Sequence, residues 1–558
     1  MRDRKTFALM AAVGLLGGAG CSRDAGEPGA TTRDGRLAPV LANLGSYHRQ
    51  VTTKSQDAQR FFDQGLILVY GFNHAEAIRS FQEAARIDPD CAMAYWGQAL
   101  ALAPNINDPA IGPDREKQGA EAIQKAGQHK AGVTPVEAGL IDALTARFTP
   151  AGEPDRKQLN QAYADAMKAL YARFPADADV GTLYADAVMN TMPWDYWSRA
   201  DGTPRPGIAE AIAAIEAAMK VAPDHPGANH IYIHAVEASP NPDRAVASAD
   251  KLGALVPGAG HLVHMPAHIY IRVGRYADGT EVNRKAIAAD ESYITQCRAQ
   301  GIYPAAYYPH NIHFMFATLA MEGRSKETLE AARKVASRHN HDQFQDLGFG
   351  FPHLLRAMPL FAQVRFGKWD DILAEPKPDA EYRFHTVIWH FARGYAHLAR
   401  KAMEPAAAEL AELRQAAADP ALTAMKIFEL NDLATLASIA EHMLAAEIAA
   451  AGKNTREAVR LMTRAVALED GLLYSEPPDW PLPPRQFLGA LLLSAGRARD
   501  AEQAFRADLE RHRDNGWSLR GLALSLAAQR KKAEAAAAEE RFTKAWSRAD
   551  IPLATARL

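Results

Sequence analysis

A helix–turn–helix pattern between Ala58 and Cys91 constrains the fold of this chain more than any other feature. Apolar and small residues recur there every three or four positions, which places them on one face of each of two helices. The chain turns at Gly71-Phe72-Asn73, and Asp88-Pro89 ends the second helix. The residues on the two facing surfaces are Phe61, Gln64, Gly65, Leu68, Ala77, Phe81 and Ala84. Because such a pair cannot bury its apolar face alone, the pattern predicts an array of stacked helix pairs.

The same segment resembles the tetratricopeptide repeat (TPR). Small residues at Gly65 and Ala77 allow the helices to approach closely, and Phe61 and Phe81 fill the space between them. A second good match near the other end of the chain consists of Gly489, Leu492, Gly496, Ala501 and Phe505. The resemblance covers most of residues 58–541. It implies an all-α fold, a right-handed superhelical solenoid of TPR-like helix pairs.

Three strings resemble, more narrowly, a group of bacterial repeat proteins of unassigned role. They are YGFNHAEAIRSFQEAARIDPD, GHLVHMPAHIYIRVGRY and YPHNIHF. This resemblance implies a helical solenoid, but it does not imply a known reaction.

The N-terminus resembles a bacterial lipoprotein signal. A basic start and the short apolar run Phe7–Leu16 lead through small residues to Cys21. We expect a signal peptide over residues 1–21 with lipidation at Cys21, a flexible tether over 22–45, and TPR-like arrays over 46–345 and 346–558. The protein is then expected on the periplasmic face of the outer membrane, or in the periplasm or secreted if Cys21 is not lipidated. The N-terminal lipid is the only membrane contact that we expect.

Composition and motifs exclude several classes of function. The net charge of −3 provides no basic field for nucleic acid, so we expect no nucleic-acid partner. The sequence contains no phosphate-binding GxxxxGK[ST] loop, no GxSxG serine elbow and no HExxH zinc motif. Cys91 and Cys297 are the cysteines beyond the signal, and spacing alone does not establish whether they pair.

Two pairs of histidines have helical spacing. His230 and His234 are four residues apart, as are His264 and His268, and the second pair follows the first by thirty-four residues. Thirty-four residues is the period of the TPR. Residues four apart on a helix lie on one face, and Glu237 continues the stripe that His230 begins.

A third pair, His310 and His313, begins a later helical segment. The TPR resemblance places the first helix of each pair on a concave groove, so the histidines of successive repeats are expected to meet there. Imidazoles from neighbouring helices can bind one transition metal ion, and zinc, copper, iron and manganese are not distinguishable by this pattern. The predicted metal ligands are His230, His234, Glu237, His264, His268, His310 and His313.

This set is larger than one tetrahedral ion requires, so either some residues support the ligands or there are two ions. The alternative is structural packing of the histidines against nearby aromatic residues. Pro266 lacks a backbone N–H, so it either lies in a first helical turn or kinks the helix and re-aims His268. We interpret His261 as a residue of the helix start.

Further residues are expected to line the groove by the same helical phase or in neighbouring insertions. They are Asp186, Asn190, Trp194, Trp197, Tyr307 and Tyr308.

Three functions remain open on the sequence. The first is an exported scaffold whose groove binds a protein or peptide partner and holds a transition metal ion. The second is a metal-dependent enzyme, oxidative or hydrolytic, with its active site in the histidine-rich groove. The third is a purely structural interaction solenoid. A repeat fold is compatible with all three, so the choice depends on the site.

Overall fold

The computed structural model describes residues 35–148, 155–297, 303–338 and 350–557. Within these residues, helices occupy most of the chain, and the strands are limited to the short antiparallel pair β1 (Lys426–Ile427) and β2 (Asn431–Asp432). Consecutive helices pack against one another along the sequence. The predicted all-α repeat fold is therefore confirmed.

The chain divides into two compact units, the first of which contains residues up to Ile269 together with Lys285–Pro304. Its last two helices also include residues that belong to the second unit. The helices are α1 (Gln56–Tyr70), α2 (His74–Ile87), α3 (Ala92–Leu102), α4 (Pro113–Gln128), α5 (Pro135–Thr145), α6 (Arg156–Arg173), α7 (Ala178–Met189), α8 (Ile208–Val221), α9 (Pro226–Val236), α10 (Val246–Leu255), α11 (Gly260–His264), α12 (Pro266–Arg272) and α13 (Tyr276–Cys297).

The second unit contains Tyr270–Arg284 and the chain from Ala305 onward. A short π-helix, Tyr303–Tyr307, precedes α14. The helices are α14 (Tyr308–Met321), α15 (Ser325–Ala336), α16 (Phe351–Arg356), α17 (Met358–Arg365), α18 (Trp369–Ala374), α19 (Arg383–Ala399), α20 (Met403–Ala417), α21 (Ala421–Ala424), α22 (Leu433–Ala451), α23 (Thr455–Gly471), α24 (Pro484–Ser494), α25 (Ala498–Arg511), α26 (Gly516–Ala528) and α27 (Lys532–Ala545).

In each unit, one phenylalanine ring lies between two glycines. A Cβ atom placed on Gly65 or Gly97 would lie 2.7 or 2.4 Å from the buried ring of Phe81. In the second unit, a Cβ atom placed on Gly489 of α24 or on Gly521 of α26 would lie 2.6 or 2.2 Å from the Phe505 ring. The ring therefore fills the space that the missing side chains leave, as the repeat pattern predicts.

In the first unit, α9 packs against α1, which is far from it in sequence, and also against α7, α8 and α10. Every residue of α9 is buried. Helix α9 carries the first histidine pair. Side chains from helices far apart in sequence can therefore reach these two histidines.

The segment predicted as a flexible tether over residues 22–45 is packed where it is described. The backbone N–H of Leu37 donates to Glu83 Oε2 at 3.0 Å, and that of Leu41 donates to Gln64 Oε1 at 2.9 Å. Ala38 is fully buried. The tether prediction is therefore wrong for residues 37–45, because buried acceptors on α1 and α2 bind this backbone.

Several other predictions fall at the limits of the described chain. The signal peptide, Cys21 and residues 22–34 lie outside the described residues, as does the predicted array boundary at 345/346. Cys91 is buried, and burial raises its pKa to about 11. The side chain of Cys297 lies outside the described set.

One helix among the described residues, α22, is long and apolar enough to cross a membrane. More than half of its most apolar window is buried within the fold, as in the core helix of many proteins that cross no membrane.

Candidate metal centre

Helix α9 is held at its start by a histidine outside the predicted site. His225 caps the helix: its Nδ1 accepts the backbone N–H of Ala228 at 3.1 Å, so its Nε2–H faces Asp179 Oδ1 at 3.1 Å. His230 and His234 then follow on the same buried face of α9, and Glu237 ends the helix.

The Glu237 carboxylate orients two imidazoles. Its Oε1 lies 2.8 Å from His234 Nδ1, and its Oε2 lies 2.5 Å from His268 Nδ1. A carboxylate can only accept, so each of these Nδ1 atoms carries its proton. In the neutral imidazole, the lone pair is then on Nε2. A histidine whose Nδ1–H is held by a carboxylate in this way is the usual arrangement of a metal ligand.

His230 is oriented by a backbone carbonyl from the first repeat. Its Nδ1 lies 2.6 Å from the carbonyl oxygen of Tyr70, the last residue of α1. The His230 lone pair is therefore also on Nε2, and this atom lies 3.1 Å from His261 Nε2. The contact between α1 and α9 thus sets the tautomer of a predicted ligand.

Three imidazoles meet at one point. One nitrogen from each of His230, His234 and His261 lies within 4.8 Å of the other two. His234 Nε2 is buried and makes no hydrogen bond within the described parts of the chain. Leaving a buried acceptor unpaired costs on the order of 1–3 kcal/mol, which a bound cation would offset. With metal–nitrogen distances of about 2.0–2.1 Å, the 3.1 Å separation of His230 and His261 corresponds to an angle of roughly 100° at the ion.

A second pair of imidazoles lies next to these three. His264 Nε2 and His268 Nε2 are 2.9 Å apart, and the His234 and His268 rings are 5.8 Å apart. Helix α11 ends at His264 and α12 begins at Pro266, so the proline lies in a first helical turn, one of the two alternatives that the sequence left open. The same distances would give an angle of about 90° at an ion shared by His264 and His268.

Contacts to α13 and to the chain after it position α11. The backbone N–H of His261 donates to the Tyr303 hydroxyl at 3.3 Å, and that hydroxyl donates to Asp290 Oδ1 at 2.7 Å. A Cβ atom on Gly260 would lie 1.8 Å from Asp290 Oδ1. Glycine at this position therefore permits the close approach that places His261 and His264.

Two aromatic residues form walls against the imidazoles. The Phe72 ring stacks on His261 and His234 at centroid distances of 5.2 and 6.0 Å, and Trp194 meets His234 edge-on at 5.2 Å. Both aromatic residues have positive φ, 57° for Phe72 and 64° for Trp194. Such a conformation costs about 1 kcal/mol or more for a non-glycine residue, and it is concentrated at functional sites.

Burial controls the charge of the cluster. It lowers the pKa of His230, His234 and His261, because the charged imidazolium loses its hydration. Burial also opposes ionisation of Glu237, but His268 and His234 outweigh it and hold the pKa of Glu237 below its usual value. Neutral imidazoles beside an ionised carboxylate are the protonation state that metal binding requires.

Within the first unit, the structure brings together five of the seven predicted metal ligands: His230, His234, Glu237, His264 and His268. Glu237 was predicted as a metal ligand, but in the structure its carboxylate binds the Nδ1 atoms of two imidazoles. His310 and His313 lie on α14 in the second unit, where His313 stacks on Phe316 at 6.0 Å. Their role as ligands stays a prediction.

The predicted groove residues have different environments. Asn190 is buried, with its side chain donating to the carbonyl of Asp186, and Trp197 Nε1 donates to the carbonyl of Ala235. Trp194 contacts the cluster. Tyr307 and Tyr308 belong to the second unit, where Lys334 and Arg338 lie over the Tyr308 ring. Their role in binding stays a prediction.

Sequence reasoning missed His261 and Phe72. His261 lies three residues before His264 and seven before His268, so its helical spacing was visible. Phe72 gave no such signal, because only the contact between α1 and α9 brings its turn to the cluster.

No family model and no curated protein matches the chain. Among solved structures, the human IFIT1 dimer with m7Gppp-AAAA is 11% identical with a TM-score of 0.30, covering 88% of this chain and 91% of that chain. The Cut9-Hcn1 hetero-tetramer of APC/C is 10% identical with a TM-score of 0.27, covering 89% of each chain. At these values the similarities carry no conclusion about function.

Proposed function

We propose that the first unit is a transition-metal-binding domain. His230, His234 and His261 ligate one ion, and the adjacent His264 and His268 can ligate a second. The observation that carries the proposal is the buried, unpaired His234 Nε2, whose lone pair is set by the hydrogen bond from Nδ1 to Glu237. A purely structural role would leave this acceptor without compensation.

The ligand set favours a borderline metal. Imidazole suits zinc, copper and iron, whereas manganese prefers oxygen ligands. All the first-unit ligands proposed here are imidazoles, so we expect zinc, copper or iron in preference to manganese.

Elemental analysis of protein purified without a histidine tag tests this function. We expect about one or more equivalents of metal per chain, of which one is lost when His234 and His261 are both replaced by asparagine. A matched control is His390→Asn, which removes a buried imidazole paired with Glu409 in the second unit. Metal-free wild-type protein after expression with metal supplied, or full occupancy in the double variant, would refute the proposal.

The repeat fold supports a second role, the binding of a protein or peptide partner in the groove of the helix array. Crosslinking of the native protein, followed by mass spectrometry of captured peptides, tests it. Crosslinks that map to Trp194 and Trp197, two predicted groove residues that are half-buried, would support the role, and a chain that crosslinks only to itself would count against it.

We also propose export and lipidation at Cys21, on the signal-like N-terminus. Metabolic labelling with a radioactive fatty acid would mark the wild-type chain but not Cys21→Ser. Label in both chains, or in neither, would contradict lipidation.

A further inference from the structure

A second polar pocket lies beside the histidine cluster, in the first unit. Helices α1, α3, α7 and α9 contribute to its lining, and the cavity between them, about 30 Å³, is partly open to solvent. Phe72, which stacks on the imidazoles, also lines this pocket. Its apolar lining includes Leu100, Leu183 and Ile231, and its polar lining includes Asn105, Arg147 and Asp186.

Arg147 is a buried cation with an unused donor. Only 1% of its surface is exposed, and its Nη2 makes no hydrogen bond in the part of the chain that the structure describes. Its Nε reaches Asn160 Oδ1 at 3.4 Å, and the guanidinium lies 4.7 Å from the centroid of the Tyr163 ring. A buried charge is costly unless it is paired, so an anion beside Nη2 would stabilise this arrangement.

The neighbouring arginines already have carboxylate partners. Arg115 pairs with Asp108, and Arg156 pairs with Glu116. No ion pair of Arg147 is found within the described residues, although Asp186 lines the same pocket. Burial raises the pKa of Asp186 to about 6, so this carboxyl loses its charge in mildly acidic solution and is then no counter-ion for Arg147.

Asn105 offers a second donor to the pocket. Its Oδ1 accepts the backbone N–H groups of Asn107 at 2.9 Å and Asp108 at 3.1 Å. The donors left to its side chain are therefore those of the amide nitrogen. A planar guanidinium together with an amide N–H group matches the two oxygens of a carboxylate.

We propose that this pocket binds a small organic carboxylate, held by Arg147 and Asn105. The leucine and isoleucine side chains would receive a short hydrocarbon body, which an inorganic oxyanion lacks. The proposal does not depend on metal binding, because none of its donors is a predicted metal ligand. The competing occupant is ordered water bridging Arg147 and Asp186.

Calorimetric titration of the full chain with sodium propionate tests the proposal, with propionamide as the neutral matched probe. At constant ionic strength and pH 8, we expect saturable binding of propionate to metal-free protein and none of propionamide. Equal binding of both probes, no binding of propionate, or propionate binding only in the metal-loaded protein would overturn the proposal.

Two variants give opposite expected results. Arg147→Gln should weaken propionate binding by roughly tenfold or more, because it removes the charged donor. Asp186→Asn should strengthen binding several-fold, because at pH 8 it removes a like charge from the pocket. Unchanged binding in a folded Arg147→Gln protein would contradict the proposal. If that variant does not fold, weaker binding in Asp186→Asn contradicts it instead.

Discussion

Glu237 sets the ring orientation and the tautomer of two histidines at the candidate metal site. One buried carboxylate accepts the Nδ1–H of His234 and of His268, so it fixes the ring orientation and the tautomer of both. Without it, each ring could place its proton on either nitrogen. Glu237 therefore lies among the histidines to orient their rings, and it does not need to bind the metal itself.

Replacing Glu237 by glutamine should therefore lower metal affinity without removing a ligand. The amide oxygen can accept one Nδ1–H, but the amide NH₂ is itself a donor and forces the other imidazole into the wrong tautomer. We expect a loss of about 10–100-fold in affinity, measured by competition with a chromophoric chelator.

A matched control for this change is Glu216→Gln. Glu216 is a carboxylate on α8 that accepts from Tyr232 and Arg244, and within the described residues it makes no hydrogen bond to a histidine. It should leave metal affinity unchanged. Equal affinity of Glu237→Gln and wild type would show that this carboxylate does not orient the ligands.

Helix α11 carries His261 and His264, so the contacts that position this short helix also position two of the imidazoles. Its start lies directly against Asp290 of α13. Gly260→Ala should push α11 outward, since the new Cβ would overlap Asp290 Oδ1. We expect a loss of about 1–3 kcal/mol of stability together with weaker metal binding. Chemical denaturation and chelator competition measure the two effects.

The control for Gly260→Ala is Gly253→Ala on α10. There, the nearest atoms to an added Cβ are at 3.6 Å, an ordinary contact, and alanine is the better helix former. This variant should be as stable as wild type or more so. A Gly260→Ala protein with wild-type stability and metal affinity would contradict the role given to this contact.

At the level of helices, the sequence predicted the pairs from local spacing. The phases of Phe61 and Phe81 place α1 and α2, and Pro266 places the break after α11. The packed course of residues 37–45 was not predictable, because Gly- and Pro-rich composition says nothing of the backbone hydrogen bonds that Glu83 and Gln64 offer.

Across the molecule, the site depends on contacts between residues far apart in sequence. The in-phase histidines could be predicted from the thirty-four-residue period, because a repeat period can be read from the sequence alone. Tyr70 and Phe72 reach the cluster only because α1 returns to α9, so no spacing rule could find them. His261 could have been included from its spacing to His264 and His268.

The buried histidines also make the stability of the metal-free protein depend on pH. Their pKa values are lowered in the folded state, whereas in the unfolded chain they titrate near 6.5. Below about pH 6.5 the unfolded state binds more protons, so stability falls as pH falls, by at most about 1.4 kcal/mol per pH unit for each histidine.

Urea denaturation of metal-free protein at pH 7.5 and pH 5.5 measures this dependence. The midpoint should fall at the lower pH, and the fall should shrink when His230, His234 and His261 are all replaced by asparagine. A wild-type midpoint that is the same at both values would contradict burial of neutral imidazoles.

The central claim is that a transition metal binds where the three imidazoles meet, and anomalous X-ray diffraction tests it most directly. Crystals of the untagged protein, loaded with zinc, copper or iron, would be measured on both sides of that metal's absorption edge. We predict an anomalous peak about 2.0–2.2 Å from one nitrogen each of His230, His234 and His261. Diffraction data with no peak there, or with metal only at surface sites, would contradict the claim.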